Sequence, residues 1–155
     1  RPPRLRLDVA VKSRTNRAVN HGRIRVFGGS QFRPNLHIED MTDLYVRLLE
    51  LPDEQVGGKV WNAGYDNMQV REIADVVRDA VGSGQVSIVT EPTDDLRSYR
   101  VASDKIRREI GFTPRHSIRN AVDDLLAAFR SGRIRDAMTD ARYYNIKTMQ
   151  KLQLK

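Results

Sequence analysis

Arg33 is the first residue of this chain whose surroundings suggest chemistry. A short apolar run (Ile24, Val26, Phe27) meets Gly28-Gly29, which breaks any regular element and permits a turn with positive φ. The turn presents Arg33, then Pro34, then Asn35 and His37. A guanidinium beside a proline is held in place, and its planar fork suits two-pronged phosphate binding. The same residues also fit a surface arginine on a solvated loop, and spacing alone leaves both readings open. A second group, Asp94, Asp95, Arg97, Tyr99 and Arg100, crowds onto a stretch without regular period. Its plain alternative is an Asp–Arg surface pair of little energetic value. Tyr143 and Lys147 stand four apart, the spacing that puts a phenol and an ammonium on one helix face for proton transfer. His21, His37 and His116 are far apart in sequence, and zero cysteines exclude a thiolate site, so no metal centre is expected.

At 155 residues the chain is long enough for one region with a real core. Charged residues at 30% and hydrophobic ones at 39% are ordinary for a globular protein and too apolar for a disordered one. No apolar run approaches a membrane span and no signal peptide opens the chain. With cysteine absent, a cytoplasmic setting is expected. The chain begins with Arg1 rather than methionine, as a processed or partial chain does. The net charge of +7 raises the case for a polyanion partner, yet 27 basic residues are mixed with 20 acidic ones, with no block of five like charges. Aromatics, at 6%, are not interleaved with basic residues as a nucleic-acid stacking platform needs. The densest clusters, Arg1-Arg4-Arg6 and Arg14-Arg17-Arg23-Arg25, read as a generic basic surface.

Periodicity supplies the elements that position these groups. Ile38, Met41, Leu44, Tyr45, Leu48 and Leu49 fall on one helix face over residues 38–51, with Glu39 and Asp40 opposing the positive helix end. Lys59 to Ala63 reads as a strand, and residues 70–81 as a helix stopped by Gly82. Gln69 with Glu72 makes only half a capping box, which predicts a frayed start. Val86 to Pro92 alternates like a strand. Ser103 is a good N-cap for a helix over 104–110 that ends at Gly111, and Ser117 caps a clear helix over 118–131. The tail has a weak helical pattern. Leu5, Leu7, Val9 and Val11 alternate, which by itself suggests a strand.

Several of these stretches resemble the extended short-chain dehydrogenase/reductase family, which contains the NAD-dependent nucleotide-sugar epimerases and dehydratases. RPNLHIEDMTDLY is similar to that family's Arg-x-x-x-His/Tyr-Val-x-Asp block. Arg4, Arg6 and Asp8 match a segment that leads into the substrate domain, though Lys12 stands where an asparagine is usual. KVWNAG resembles the Val-Tyr/Phe-Asn-x-Gly strand, and QVREIADVV the Thr-Val-x-Glu-Ile-Ala helix, with Gln69 in place of threonine. TDDLRSYRVASDKIRREIGFTP resembles the Asp-x-Arg-x-Tyr…Lys-Ile…Leu-Gly-Phe/Trp-x-Pro pattern, with Ile110 in place of leucine.

The resemblance covers about Arg4 to Lys147 but only the second half of the family's fold. It implies an α/β chain: the C-terminal half of a Rossmann-type fold, a small substrate-binding region plus a strand and helix belonging to the large parallel sheet. It turns residues 8–20 into a helix with an arginine-rich outer face, stopped by Gly22. By the family's pattern Arg33 and Arg97 meet the substrate diphosphate and Asp95 the nucleotide ribose. No Gly-x-Gly-x-x-Gly loop follows a strand here, so NAD and the catalytic Ser/Tyr/Lys set belong to an N-terminal half absent from this chain. Tyr143 and Lys147 follow every matched segment, whereas the family's catalytic pair precedes them, so the spacing reads as coincidence and no catalytic residue is assigned. The implied partners are a nucleotide sugar and either the missing half or a second copy. The alternatives are an inactive binding or interaction module on the same scaffold and, less favoured, a basic nucleic-acid binder.

Overall fold

The computed structural model describes residues 5–153, so Arg1, Arg4 and the Pro2-Pro3 turn lie outside the described residues. The alternation from Leu5 to Val11 does not become a strand. Leu7 is buried in an extended stretch whose N–H bonds the Tyr143 carbonyl at 2.9 Å, and α1 (Ala10–His21) begins three residues on. Gly22, at φ 58°, stops α1 as expected.

β1 (Arg23–Phe27) leaves that stop with its side chains alternating outward and inward, Ile24 and Val26 being fully buried. It pairs in parallel with β4 (Ser87–Glu91), Arg23 opposite Ser87 and Phe27 opposite Glu91. A parallel pair requires a crossover, and here the whole middle of the chain supplies it. That middle holds β2 (Phe32–Asn35), α2 (Ile38–Glu50), the single turn α3 (Asp53–Val56), β3 (Asp66–Gln69) and α4 (Val70–Val81). β2 and β3 form a separate antiparallel ribbon, Phe32 opposite Gln69 and Asn35 opposite Asp66. α5 (Asp104–Ile110), α6 (Ile118–Arg130), a 3-10 turn at Ala141–Tyr143 and α7 (Asn145–Lys151) complete the order. The result is an α/β fold with two apolar centres. One joins α1, β1, α4 and α6 through Ala18, Ile24, Ile73, Val77 and Val122. The other joins α2 to α5 through Leu44, Ile106, Ile110 and Phe112.

The four helices placed by periodicity stand within a residue of their expected ends. Two expectations are corrected. Lys59 to Ala63 is not a strand. A strand takes its hydrogen bonds from neighbours, and here Lys105 Nζ donates to the Val60 carbonyl while Trp61 turns to the second core and donates to Glu109 at 2.7 Å. Val60 is left 79% exposed. By contrast, Glu72 keeps its expected place at the α4 start, accepting from the Gln69 N–H at 2.6 Å. Ser103 occupies the N-cap of α5, but its hydroxyl makes no cap bond and is buried without a partner. Ser117 does cap α6, accepting from the Asn120 N–H at 3.3 Å.

Candidate functional site

The expected turn around Arg33 is a strand. The 95–99 segment, 64 residues away along the chain, lies beside it. Gly28 and Gly29 take φ 71° and 122°, bending the chain sharply after β1. A side chain at Gly28 would meet the Gln31 amide nitrogen at 2.5 Å, and that amide is the clasp. Gln31 is 7% exposed; its oxygen accepts from the Gly29 N–H at 2.8 Å and its nitrogen donates to the Asp95 carbonyl at 3.0 Å. From there the two segments zip together. The Phe32 N–H donates to Ser98 Oγ at 2.9 Å, and Arg33 Nη1 donates to the Arg97 carbonyl at 2.6 Å. The Arg100 guanidinium stacks 3.7 Å over the Phe32 ring, and that of Arg33 lies 5.4 Å from the Tyr99 ring centre.

Arg33 and Arg97 consequently line one open cleft of about 420 Å³, together with Ser98 and Tyr99. Arg33 also borders a second hollow of about 210 Å³, where Asp95, Thr93 and Gln31 face Arg14. All three residues singled out in the sequence therefore meet at one place. Their present bonding differs from the expected roles: Asp95 grips Arg97 with both oxygens, each contact 2.7 Å. This side-chain pairing with Arg97, reinforced by the Arg97 N–H, holds the Asp95 carboxyl down at about 2. Arg97 is 83% exposed, so the pair sits in water and exchanges readily for another partner.

Arg14 was not foreseen. Its place in a run of arginines reads as a polar outer face, but in the structure the side chain turns inward from α1. Nη1 caps the Ala10 carbonyl at 2.8 Å and Nε is buried without a partner. Burial first, and the Arg33 charge second, lower its pKa from the usual value. Two guanidiniums converging on one hollow, one with an unused buried donor, make a site complementary to an anion. The signal in the sequence was available but ambiguous, because an arginine at position 14 fits either face of a helix whose period is blurred by Thr15 and Asn16. Lys12 is half-buried, and burial, then Arg6, lowers its pKa.

The remaining candidates are sorted by the tail. Tyr143 lies in the 3-10 turn and Lys147 in α7, so they share no helix face; Lys147 donates to the Met138 carbonyl and lies over Tyr144. Asp8 accepts from the first N–H of α7 at 2.8 Å and from Arg6 at 2.9 Å, which ties the matched segment to the tail. A nicotinamide cofactor does not fit these residues: the Gly28-Gly29 turn is filled by Gln31 and leads into a strand, not a helix N-terminus. The histidines also depart from expectation, since His37 and His116 stand with ring centres 4.9 Å apart.

No protein-family model matches the chain. Solved structures do. UDP-glucose 4-epimerase of Thermotoga maritima, determined with UDP-glucose, is 19% identical, with a TM-score of 0.67 over 81% of this chain and 40% of its own. dTDP-glucose 4,6-dehydratase of Bacillus anthracis, in complex with NAD, is 16% identical with a TM-score of 0.62 over 83% and 41%. L-threonine dehydrogenase of Phytophthora infestans is 12% identical with a TM-score of 0.68 over 79% and 41%. The chain thus spans about two fifths of the length of the structures it matches. It has the fold of that part of a Rossmann-type epimerase/dehydratase structure, in agreement with the C-terminal half of the extended short-chain dehydrogenase/reductase fold that its motifs resemble.

Proposed function

We propose that this chain is the nucleotide-sugar-binding part of an NAD-dependent epimerase or dehydratase, with the diphosphate held between Arg33, Arg97 and Arg14. The observation that carries this reading is the convergence of Arg33 with Arg97 on one side and Arg14 on the other. A diphosphate is doubly anionic, and rigid guanidinium forks neutralise it at lower entropic cost than mobile lysines. On binding, the phosphate oxygens replace Asp95 on Arg97. The released carboxylate, repelled by the diphosphate, turns to the ribose hydroxyls as an acceptor. No hydride step is assigned to this chain, because its own residues do not form a dinucleotide cradle; in this reading that cradle, the NAD and the proton-transfer pair come from another half.

UDP-, GDP- and dTDP-sugars titrated against the chain test the proposal. Arg33→Ala is expected to weaken binding by about 1.5–3 kcal/mol, the scale of a hydrogen bond to a charged group. Arg14→Leu should weaken it also, and Arg97→Ala by less, because Arg97 is the most exposed of the three. Unchanged affinity in all three variants reduces them to surface charge. Binding to arbitrary DNA that falls steeply with salt, without preference for nucleotide sugars, favours the nucleic-acid reading instead.

A further inference from the structure

His37 and His116 are 79 positions apart, yet the structure brings them together at the N-terminal ends of two helices. Their ring centres are 4.9 Å apart. Glu39, in the first turn of α2, joins them: one potential ligand atom from each of His37, Glu39 and His116 lies within 4.8 Å of the other two. His37 is buried, His116 half-buried and Glu39 exposed, so the group sits at a rim reachable from solvent.

The orientation of His116 is fixed from behind. Asp40, 1% exposed, accepts from the Arg115 N–H at 3.0 Å and the His116 N–H at 2.9 Å, and its Oδ1 lies 2.8 Å from His116 Nδ1. A buried carboxylate that receives Nδ1–H leaves the lone pair on Nε2, the tautomer a metal requires. That Nε2 lies 3.4 Å from Oε2 of Glu39. A lone pair and a carboxylate so close repel unless a cation lies between them. The surroundings favour a divalent cation over a single proton. Asp124 Oδ2 is 3.4 Å from His37 Nε2, and Asp43, paired with Arg115, lines the same open hollow as Glu39 and His116. Three carboxylates, those of Glu39, Asp40 and Asp124, thus lie within 3.4 Å of the two imidazoles in a chain whose net charge is +7. Two imidazole nitrogens with carboxylate oxygen suit zinc-class ions, whereas magnesium and calcium prefer all-oxygen sites.

We propose that His37, Glu39 and His116 bind one divalent transition-metal ion of the zinc class, with Asp40 as the outer partner that aims His116. Whichever ring nitrogen ligates, His37 gives up one weak contact: the Glu39 N–H at 3.3 Å on Nδ1, or Asp124 at 3.4 Å on Nε2. The site is distinct from the arginine cleft, with which its hollow shares no lining residue.

The test is calorimetric titration of the full chain with Zn²⁺ at neutral pH, repeated with Co²⁺ and visible spectroscopy to report nitrogen and oxygen ligation. One equivalent is expected to bind. Glu39→Gln and His116→Ala should each weaken binding at least about 100-fold, and Asp40→Asn about 10–100-fold, the range for losing an outer partner. His21→Ala, which removes an imidazole outside the group, should change nothing. Glu39 is exposed and its glutamine variant keeps the helix, so loss of binding there cannot be ascribed to unfolding. Nucleotide-sugar binding by Glu39→Gln should match the parent, which separates this site from the proposed function. Absence of Zn²⁺ binding overturns the proposal, as does one equivalent that survives both Glu39→Gln and His116→Ala.

Discussion

At the scale of single residues, the cleft contrasts exposed ion pairing with buried charge. Asp95 and Arg97 satisfy each other in water, whereas Arg14 is desolvated, faces Arg33 and keeps a donor unused. The Asp95 pair has a signature in pH. Its carboxyl is held at about 2, below the ordinary 3.8, so the pair's contribution is complete above pH 3.8 and fades as pH falls through 2. A carboxyl NMR titration should find Asp95 still ionised near pH 3, and in Arg97→Ala its midpoint should return toward 3.8. A parent midpoint at the ordinary value would show that the two side chains do not pair in solution. Arg33, Asp95 and Arg97 could be singled out in the sequence because a proline and an acidic-basic cluster mark them. Arg14 could not, because no neighbour records which way its side chain turns. Nor could the meeting of His37 and His116, which depends on Asp40 tying α2 to the stretch before α6.

At the scale of elements, local sequence set what local forces decide. The stripes of α4 and α6 and the stops at Gly82 and Gly111 left little choice, and those helices stand where periodicity put them. The elements that sequence misplaced depend on partners far along the chain. β2 and β3 exist because each pairs the other, and neither four-residue run has an alternating pattern to announce it. Lys59 to Ala63 has the composition of a strand but no ladder here. The clasp at Gly28 lies between these cases, since its positive φ is legible and its contact with Gln31 is not. Gly28→Ala should lower stability by about 1–2 kcal/mol through backbone strain in the left-handed region. Displacing Gln31 should also free the Asp95 segment, so amide exchange across residues 95–99 should quicken in that variant. Unchanged exchange would mean that Gln31 does not hold the segment.

At the scale of the whole molecule, the chain exposes apolar surface of the kind that proteins commonly cover. Among the described residues the sheet of β1 and β4 has two strands, whereas parallel sheets are usually larger and covered on both faces. Half of the α2 stripe faces solvent, with Ile38 66%, Tyr45 60% and Leu49 87% exposed. Among the described residues no helix is long and apolar enough to cross a membrane, and exposed apolar faces of this kind commonly pack against another protein surface. Sedimentation over a range of micromolar concentrations should therefore reveal self-association; a monodisperse monomer with a sharp unfolding transition would contradict this. The central claim is narrower: the arginine cleft recognises a diphosphate. The most direct test compares the affinity of whichever of UDP, GDP or dTDP binds best with that of its nucleoside, in the parent chain and in Arg33→Ala. The account predicts that the parent strongly prefers the diphosphate and that Arg33→Ala loses about 1.5–3 kcal/mol of that preference, while nucleoside affinity stays put. An equal preference in both proteins would contradict it.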